Sequence, residues 1–246
     1  MKSLRALVRL LQAAAHVLAG LWTIRTRFHR LDADACAAEV QRWSVRMLAI
    51  MGVALRVQGE VPERGPLLQV ANHLSWLDIL VMNAARPSRF VSKADVQRWP
   101  VLGLLITGAG TLYIERESRR DAMRVVHRVA ERLRAGDVIS VFPEGTTGDG
   151  SELLTFHANL FQAAISAEAP VMPVALRFVH AETGAPHPAP VFVGDTTLLA
   201  SIWATLRADG VCAVVRFGVA EDCLGRDRRT WAQGMRTEVQ RLLDLG

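Results

Sequence analysis

Apolar positions follow two rhythms along the chain. Residues 4–24, LRALVRLLQAAAHVLAGLWTI, are apolar at helical spacing and interrupted only by Arg5, Arg9, Gln12 and His16. Asp32 to Val53 repeats that rhythm, with Val40, Trp43, Met47, Leu48 and Met51 on one side. From there, short apolar runs alternate with helical patterns. Strands are predicted at 54–61, 67–70, 88–92, 111–114, 137–142, 171–178 and near 211–219, with a further short run from Val191 to Gly194. Helices are predicted from Leu74, over 96–108 through a Trp99-Pro100 step, and over 118–135, 154–168, 198–208 and 228–244. In the helix at 118–135, Met123, Val126, Ala130 and Leu133 are expected to face inward, and Gly136 to end it. The cluster Pro62 to Pro66 reads as a turn, and residues 180–190, with three prolines, as a surface loop. Strands alternating with helices predict one α/β fold: a single mixed, mainly parallel sheet flanked by helices. The division expected is 1–53 for an N-terminal helical hairpin and 54–246 for the α/β domain.

Composition changes this picture at one end only. The chain of 246 residues is 50% hydrophobic and 22% charged, with a mean hydropathy of +0.19 and a net charge of +5. Residues 1–30 carry Lys2, Arg5, Arg9, Arg25, Arg27 and Arg30 and no acid, while the other 216 residues hold 23 basic and 24 acidic side chains. The basic character therefore belongs to the N-terminus, and no nucleic-acid-binding face is expected. The part free of charged residues, from Leu10 to Ile24, falls short of the ~20 residues of a straight membrane span. With basic flanks and Trp22 near one end, the two helices suit a hairpin lying in a bilayer interface. An ordinary helical pair packed on the domain, or a signal peptide, stays open at this point. Cys36, Cys212 and Cys223 form no CxxC, so no disulfide framework or metal site is expected. HExxH, a phosphate-binding loop and a GxSxG elbow are absent, which counts against a zinc hydrolase, an NTPase and a serine esterase.

Three strand ends carry polar groups: Asn72-His73, Glu115-Arg116 and Pro143-Glu144-Gly145-Thr146. In a mainly parallel sheet such ends converge on a ligand site. Asp78 follows His73 by five residues, so its carboxylate reaches back to the imidazole if His73 lies at the start of the helix. A histidine held by a carboxylate is a general base. The other reading is a satisfied histidine beside a solvated aspartate.

NHLSWLD (72–78) resembles the NHxxxxD block of the glycerophospholipid acyltransferases, the family of 1-acyl-glycerol-3-phosphate acyltransferase. GTLYIER (110–116), VFPEGTT (141–147) and APVMPVAL (169–176) are similar to the family's second, third and fourth blocks, in family order. The resemblance implies a lysophospholipid O-acyltransferase of phospholipid biosynthesis. An acyl group would pass from acyl-CoA or acyl carrier protein to the free hydroxyl of a lysolipid, 1-acyl-glycerol-3-phosphate first, without metal or cofactor. His73 would take the hydroxyl proton and Asp78 would fix the tautomer. Arg116 would clamp a phosphate or carboxylate with its planar fork, or else pair with Glu115 or Glu117. Glu144 would order Arg116 or an acceptor hydroxyl, or be a plain turn carboxylate. Gly145 and Thr146 would offer N–H and hydroxyl donors, Asn72 would lie in the substrate site, and Lys93 would meet an anionic group or simply be solvated. The partners implied are membrane lipid, lysolipid and acyl donor, at the cytoplasmic face of the inner (plasma) membrane.

One departure matters. Many family members carry Arg after FPEGT, where this chain has Thr147 followed by Gly148-Asp149-Gly150. A cation is missing beside the expected anion site, which brings a lyso-ornithine lipid forward as the alternative acceptor. A non-catalytic lipid-binding protein on the same fold and a thioesterase are the readings from other classes.

Overall fold

The computed structural model describes residues 1–114 and 119–245. Two helices open the chain, α1 (Lys2–Arg27) and α2 (Ala33–Met51). Asp32 caps α2 by accepting the Ala35 N–H at 2.8 Å, and Gly52 ends it at φ +77°, a conformation that disfavours a side chain. The strands are β1 (Val53–Gln58), β2 (Leu67–Ala71), β3 (Arg89–Lys93), β4 (Leu112–Ile114), β5 (Val138–Val141), β6 (Val171–His180) and β7 (Val211–Phe217). The intervening helices are α3 (Asp78–Ala85), α4 (Leu102–Gly108), α5 (Arg119–Arg134), α6 (Phe161–Ala167), α7 (Leu198–Arg207) and α8 (Arg228–Asp244).

Among the described residues, seven strands form one sheet in the order β1-β7-β6-β2-β5-β3-β4. Every neighbouring pair is parallel except β6 and β7. Five strands thus point one way, with β2 at the centre of the sheet. The β2 side chains alternate between two cores, as a doubly covered strand requires. Leu67 and Ala71 pack with α2, α3 and α7, while Leu68 and Val70 pack with α5, α6 and α8 around Trp231 and Met235. The α1–α2 hairpin shares the first of these cores through Ala6, Met47, Leu48 and Met51. It is further locked by reciprocal bonds: Trp43 Nε1 donates to the His16 carbonyl at 3.1 Å, and His16 Nε2 lies 3.0 Å from the Trp43 carbonyl.

Five expectations are corrected. The helix after β2 starts at Asp78, not Leu74, because the N–H groups of Leu74 and Ser75 go to the Asp78 carboxylate. The pattern at 96–108 breaks at Pro100, which has no N–H to donate. A 3-10 turn (Ala94–Arg98) precedes it and α4 restarts beyond Val101. The helix expected from 154 begins only at a 3-10 turn, Ala158–Leu160, since the preceding residues run as a strap across the sheet end. Between residues 123 and 134 of α5, Ala130 and Leu133 are buried as expected, together with Val125 and Val129, while Met123 is exposed. Val191 to Gly194 forms no strand.

Candidate active site

Register brings the first and third sequence blocks together. Val70 of β2 pairs with Val141 of β5, so the chain leaves these adjacent parallel strands at one level, with His73 beside Phe142 and Glu144. Asn72 extends β2 by one step. Its Nδ2 donates to the Leu176 carbonyl at 3.0 Å and its Oδ1 accepts the Leu176 N–H at 2.7 Å, so the carboxamide imitates a strand peptide. Asn72 is buried, and its polar atoms serve β6; the expectation that it lies in the substrate site gives way to this structural role.

His73 turns Nδ1 to Asp78 Oδ2 at 2.8 Å. Asp78 is fully buried, and the same oxygen accepts the N–H groups of Leu74 (2.7 Å) and Ser75 (2.9 Å). A carboxylate oxygen that already gathers two N–H donors can only accept from the ring, which places the proton on Nδ1 and the lone pair on Nε2. Phe142 stacks on the imidazole at 4.0 Å between centroids and 5° between planes, fixing the ring's tilt. The main chain of His73 is held as well. Its N–H donates to Glu144 Oε1 at 2.7 Å, and its carbonyl accepts the Gly148 N–H at 2.8 Å.

Glu144 has its second oxygen on the Leu154 N–H at 2.9 Å. Both oxygens accept backbone N–H groups, so Glu144 braces the histidine loop. Burial pushes its carboxyl above the usual range, and the bonds from His73 and Leu154 oppose that shift. Gly145 sits at φ +73° and gives its N–H to the Phe142 carbonyl at 3.1 Å, so its contribution is the turn that aims Glu144, not a donor to substrate. Thr146 is exposed, and the neighbouring Thr147 faces the cavity beside His73. Lys93 ends β3 and is exposed; Ser92 before it lines the cavity. Arg116, with Glu115 and Glu117, lies outside the described residues. Among the described residues no cluster of three His, Cys, Asp or Glu side chains has the arrangement to hold a metal.

A cavity of about 750 Å³ runs from His73 between α1, α2, α3 and α4. Its walls are chiefly apolar, among them Val17, Trp43, Met47, Leu80, Ile106 and Ile202. Sequence reasoning did not foresee it, because it is assembled from helices far apart in the chain. It also missed Phe142, which stands inside the quoted VFPEGTT stretch, and Trp76, whose Nε1 donates to Ser201 Oγ of α7 at 3.0 Å and ties the histidine loop to the far wall.

Known proteins match this arrangement. The family model described as Acyltransferase matches residues 53–177. A lyso-ornithine lipid O-acyltransferase of Pseudomonas aeruginosa is 39% identical over 85% of this chain and 82% of its own length. A 1-acyl-sn-glycerol-3-phosphate acyltransferase of Neisseria meningitidis serogroup B is 42% identical over 68% of each chain. The crystal structure of the 1-acyl-sn-glycerophosphate acyltransferase PlsC from Thermotoga maritima superposes with a TM-score of 0.72 over 100% of this chain and 98% of that one. At 18% identity it speaks for the fold.

Proposed function

The chain belongs to the acyltransferase family, and from that premise we propose that it transfers a fatty acyl group from a thioester to the free hydroxyl of a lysophospholipid. The observation that carries this reading is the His73–Asp78 pair opening onto an apolar cavity. An alcohol attacks a thioester well only when its proton is removed as the bond forms. His73 Nε2 takes that proton, and the buried Asp78 carboxylate stabilises the imidazolium that results. The tetrahedral intermediate then collapses, and the protonated imidazole returns its proton to the leaving thiolate. The cavity volume of about 750 Å³ and its apolar walls suit a long acyl chain.

The acceptor we propose is 1-acyl-glycerol-3-phosphate or a lysolipid of similar size. One observation favours lyso-ornithine lipid as a second reading. Thr147, a neutral side chain, stands in the cavity wall beside His73, and the Pseudomonas relative named for that acceptor aligns over most of the chain. The donor is acyl-CoA or acyl carrier protein.

Membrane residence is part of the proposal. Leu4, Leu7, Leu11, Leu18 and Trp22 form one stripe on α1, and Trp22 and Leu4 are 70% and 68% exposed. The opposite face, with Ala6, Ala13 and Val17, packs inward. Basic groups near the start of α1 are turned to the protein: Arg9 donates to the Leu206 carbonyl at 2.9 Å, and Lys2 and Arg5 pair with Asp209. Together with its extension to Arg30, this helix is long and apolar enough to cross a bilayer. An exposed apolar stripe of this size on a charged protein marks a lipid contact. Arg25, Arg27 and Arg30 fit the cytoplasmic side, where both donors reside.

The test is an acyl-transfer assay with the purified chain, acyl-CoA or acyl carrier protein thioester, and a panel of lysophosphatidate, other lysophospholipids and lyso-ornithine lipid. Acylated lipid formed by the wild type and lost in folded His73→Ala supports the reading. Release of free fatty acid without acceptor makes the protein a thioesterase, and no turnover with any acceptor makes it a binding protein.

A further inference from the structure

A continuous route of hydrogen bonds joins the C-terminal helix to the backbone of His73. Arg236 of α8 donates through Nε to the Leu154 carbonyl at 2.9 Å and through Nη2 to the Leu153 carbonyl. The Leu153 carbonyl and the Leu154 N–H belong to one peptide group, and that N–H donates to Glu144 Oε2 at 2.9 Å. A single peptide therefore stands between a guanidinium and a buried carboxylate. The cation draws charge toward the carbonyl, which strengthens the N–H as a donor to the anion on the other side. Glu144 Oε1 completes the route at the His73 N–H, 2.7 Å away.

The surroundings keep this route in place. Leu153 and Phe156 anchor the strap in the core beneath α8, and the His157 N–H holds the Pro143 carbonyl at 2.8 Å, one residue from Glu144. The guanidinium's planar fork spans two successive carbonyls, a geometry that an ammonium group does not reproduce. Glu144 is buried, so its carboxylate depends on its hydrogen bonds and on any cation within reach. This arrangement also explains why the strap is not helical: a helix there would turn the Leu154 N–H to its own chain and away from Glu144.

We propose that Arg236 is a positioning residue for the reaction: acting through the Leu153–Leu154 peptide, it keeps Glu144 aimed at the backbone of His73. Arg236 lies outside the span 53–177 that the family model matches. The activity arm of the test rests on the function proposed above; the exchange arm does not.

The full chain is compared with R236K, R236A, E144Q and the double variant R236A/E144Q. Each is assayed for kcat, for KM of acyl-CoA and lysolipid, for thermal unfolding, and for amide hydrogen exchange over 72–76 and 152–156. R236A is expected to lower kcat roughly 10- to 100-fold, the scale of a misplaced reacting group, with both KM values nearly unchanged. R236K is expected to recover part of the loss. The double variant is expected to be no slower than E144Q, because both changes cut one route. Exchange at the His73 amide should rise in R236A. The inference is overturned by unchanged His73 exchange, by multiplying losses in the double variant, or by a lowered Tm with full kcat per folded molecule. A wild type that transfers no acyl group defeats the proposed function, and the exchange result still decides the role of Arg236.

Discussion

The carboxamide of Asn72 pairs with both backbone groups of Leu176, a residue 104 positions away. The side chain next to His73 thus closes the gap between the ends of β2 and β6. Replacing Asn72 by Ala leaves a buried N–H and a buried carbonyl without partners. Stability should fall by about 2 kcal/mol or more, read by denaturant or thermal unfolding. Activity per folded molecule should also drop, because His73 follows directly on this anchor.

Asp78→Asn tests the tautomer. The aspartate oxygen that faces His73 already accepts two backbone N–H groups. An amide keeps those two bonds only by leaving its oxygen there, and it no longer balances an imidazolium. We expect kcat to fall about 10³- to 10⁴-fold with KM little changed, as for other histidine–carboxylate pairs. A loss of less than tenfold would remove Asp78 from the mechanism.

The cavity predicts a chain-length effect. Val17 of α1 lies both on the cavity wall and against the core. Val17→Trp should cut turnover with the longest acyl donors and spare short ones. Competition between donors of different length reads this directly, and a uniform loss across lengths would contradict it.

His187 supplies a pH dependence of stability. It is buried, its Nε2 faces the Asp209 carbonyl at 3.3 Å, and the His180 ring lies 4.1 Å away. Burial lowers its pKa first; the Asp209 carbonyl opposes that shift, and His180 adds to it. The folded state thus prefers the neutral ring. Its contribution to stability is complete above the unfolded value of about 6.5 and is lost as pH falls through the lowered folded value. Unfolding measured from pH 7.5 down to 5 should show that loss in the wild type and a shallower slope in His187→Asn.

Much of this was legible in the chain. Period and punctuation gave seven strand positions close to those found, since short buried runs bounded by Gly and Pro have few alternatives. The His73–Asp78 distance followed from spacing once the histidine was placed ahead of the helix. What escaped reading depends on contacts between distant segments. Residues 154–157 lead into an Ala-rich helical run and read as its first turn, yet their backbone is bound to Glu144, Pro143 and Arg236. The inward face of α5 was read correctly at Ala130 and Leu133 but is centred on Val125 and Val129, with Met123 exposed, because Val126 and Val125 are equally apolar and only the sheet beneath selects between them. The bracing role of Glu144 was not legible because sequence shows a carboxylate without showing which amides surround it.

The two faces of α1 have a thermodynamic corollary for substrate traffic. Leu11 and Leu18 look outward to the proposed bilayer while Val17 and Gly20 look into the cavity, so one helix thickness separates lipid from the pocket. A palmitoyl chain moved through water would incur about 0.8 kcal/mol for each methylene, more than 10 kcal/mol in all. A chain that slides sideways past this helix stays in hydrocarbon from membrane to pocket. The hydroxyl and the thioester then meet at His73 without either tail having been wetted.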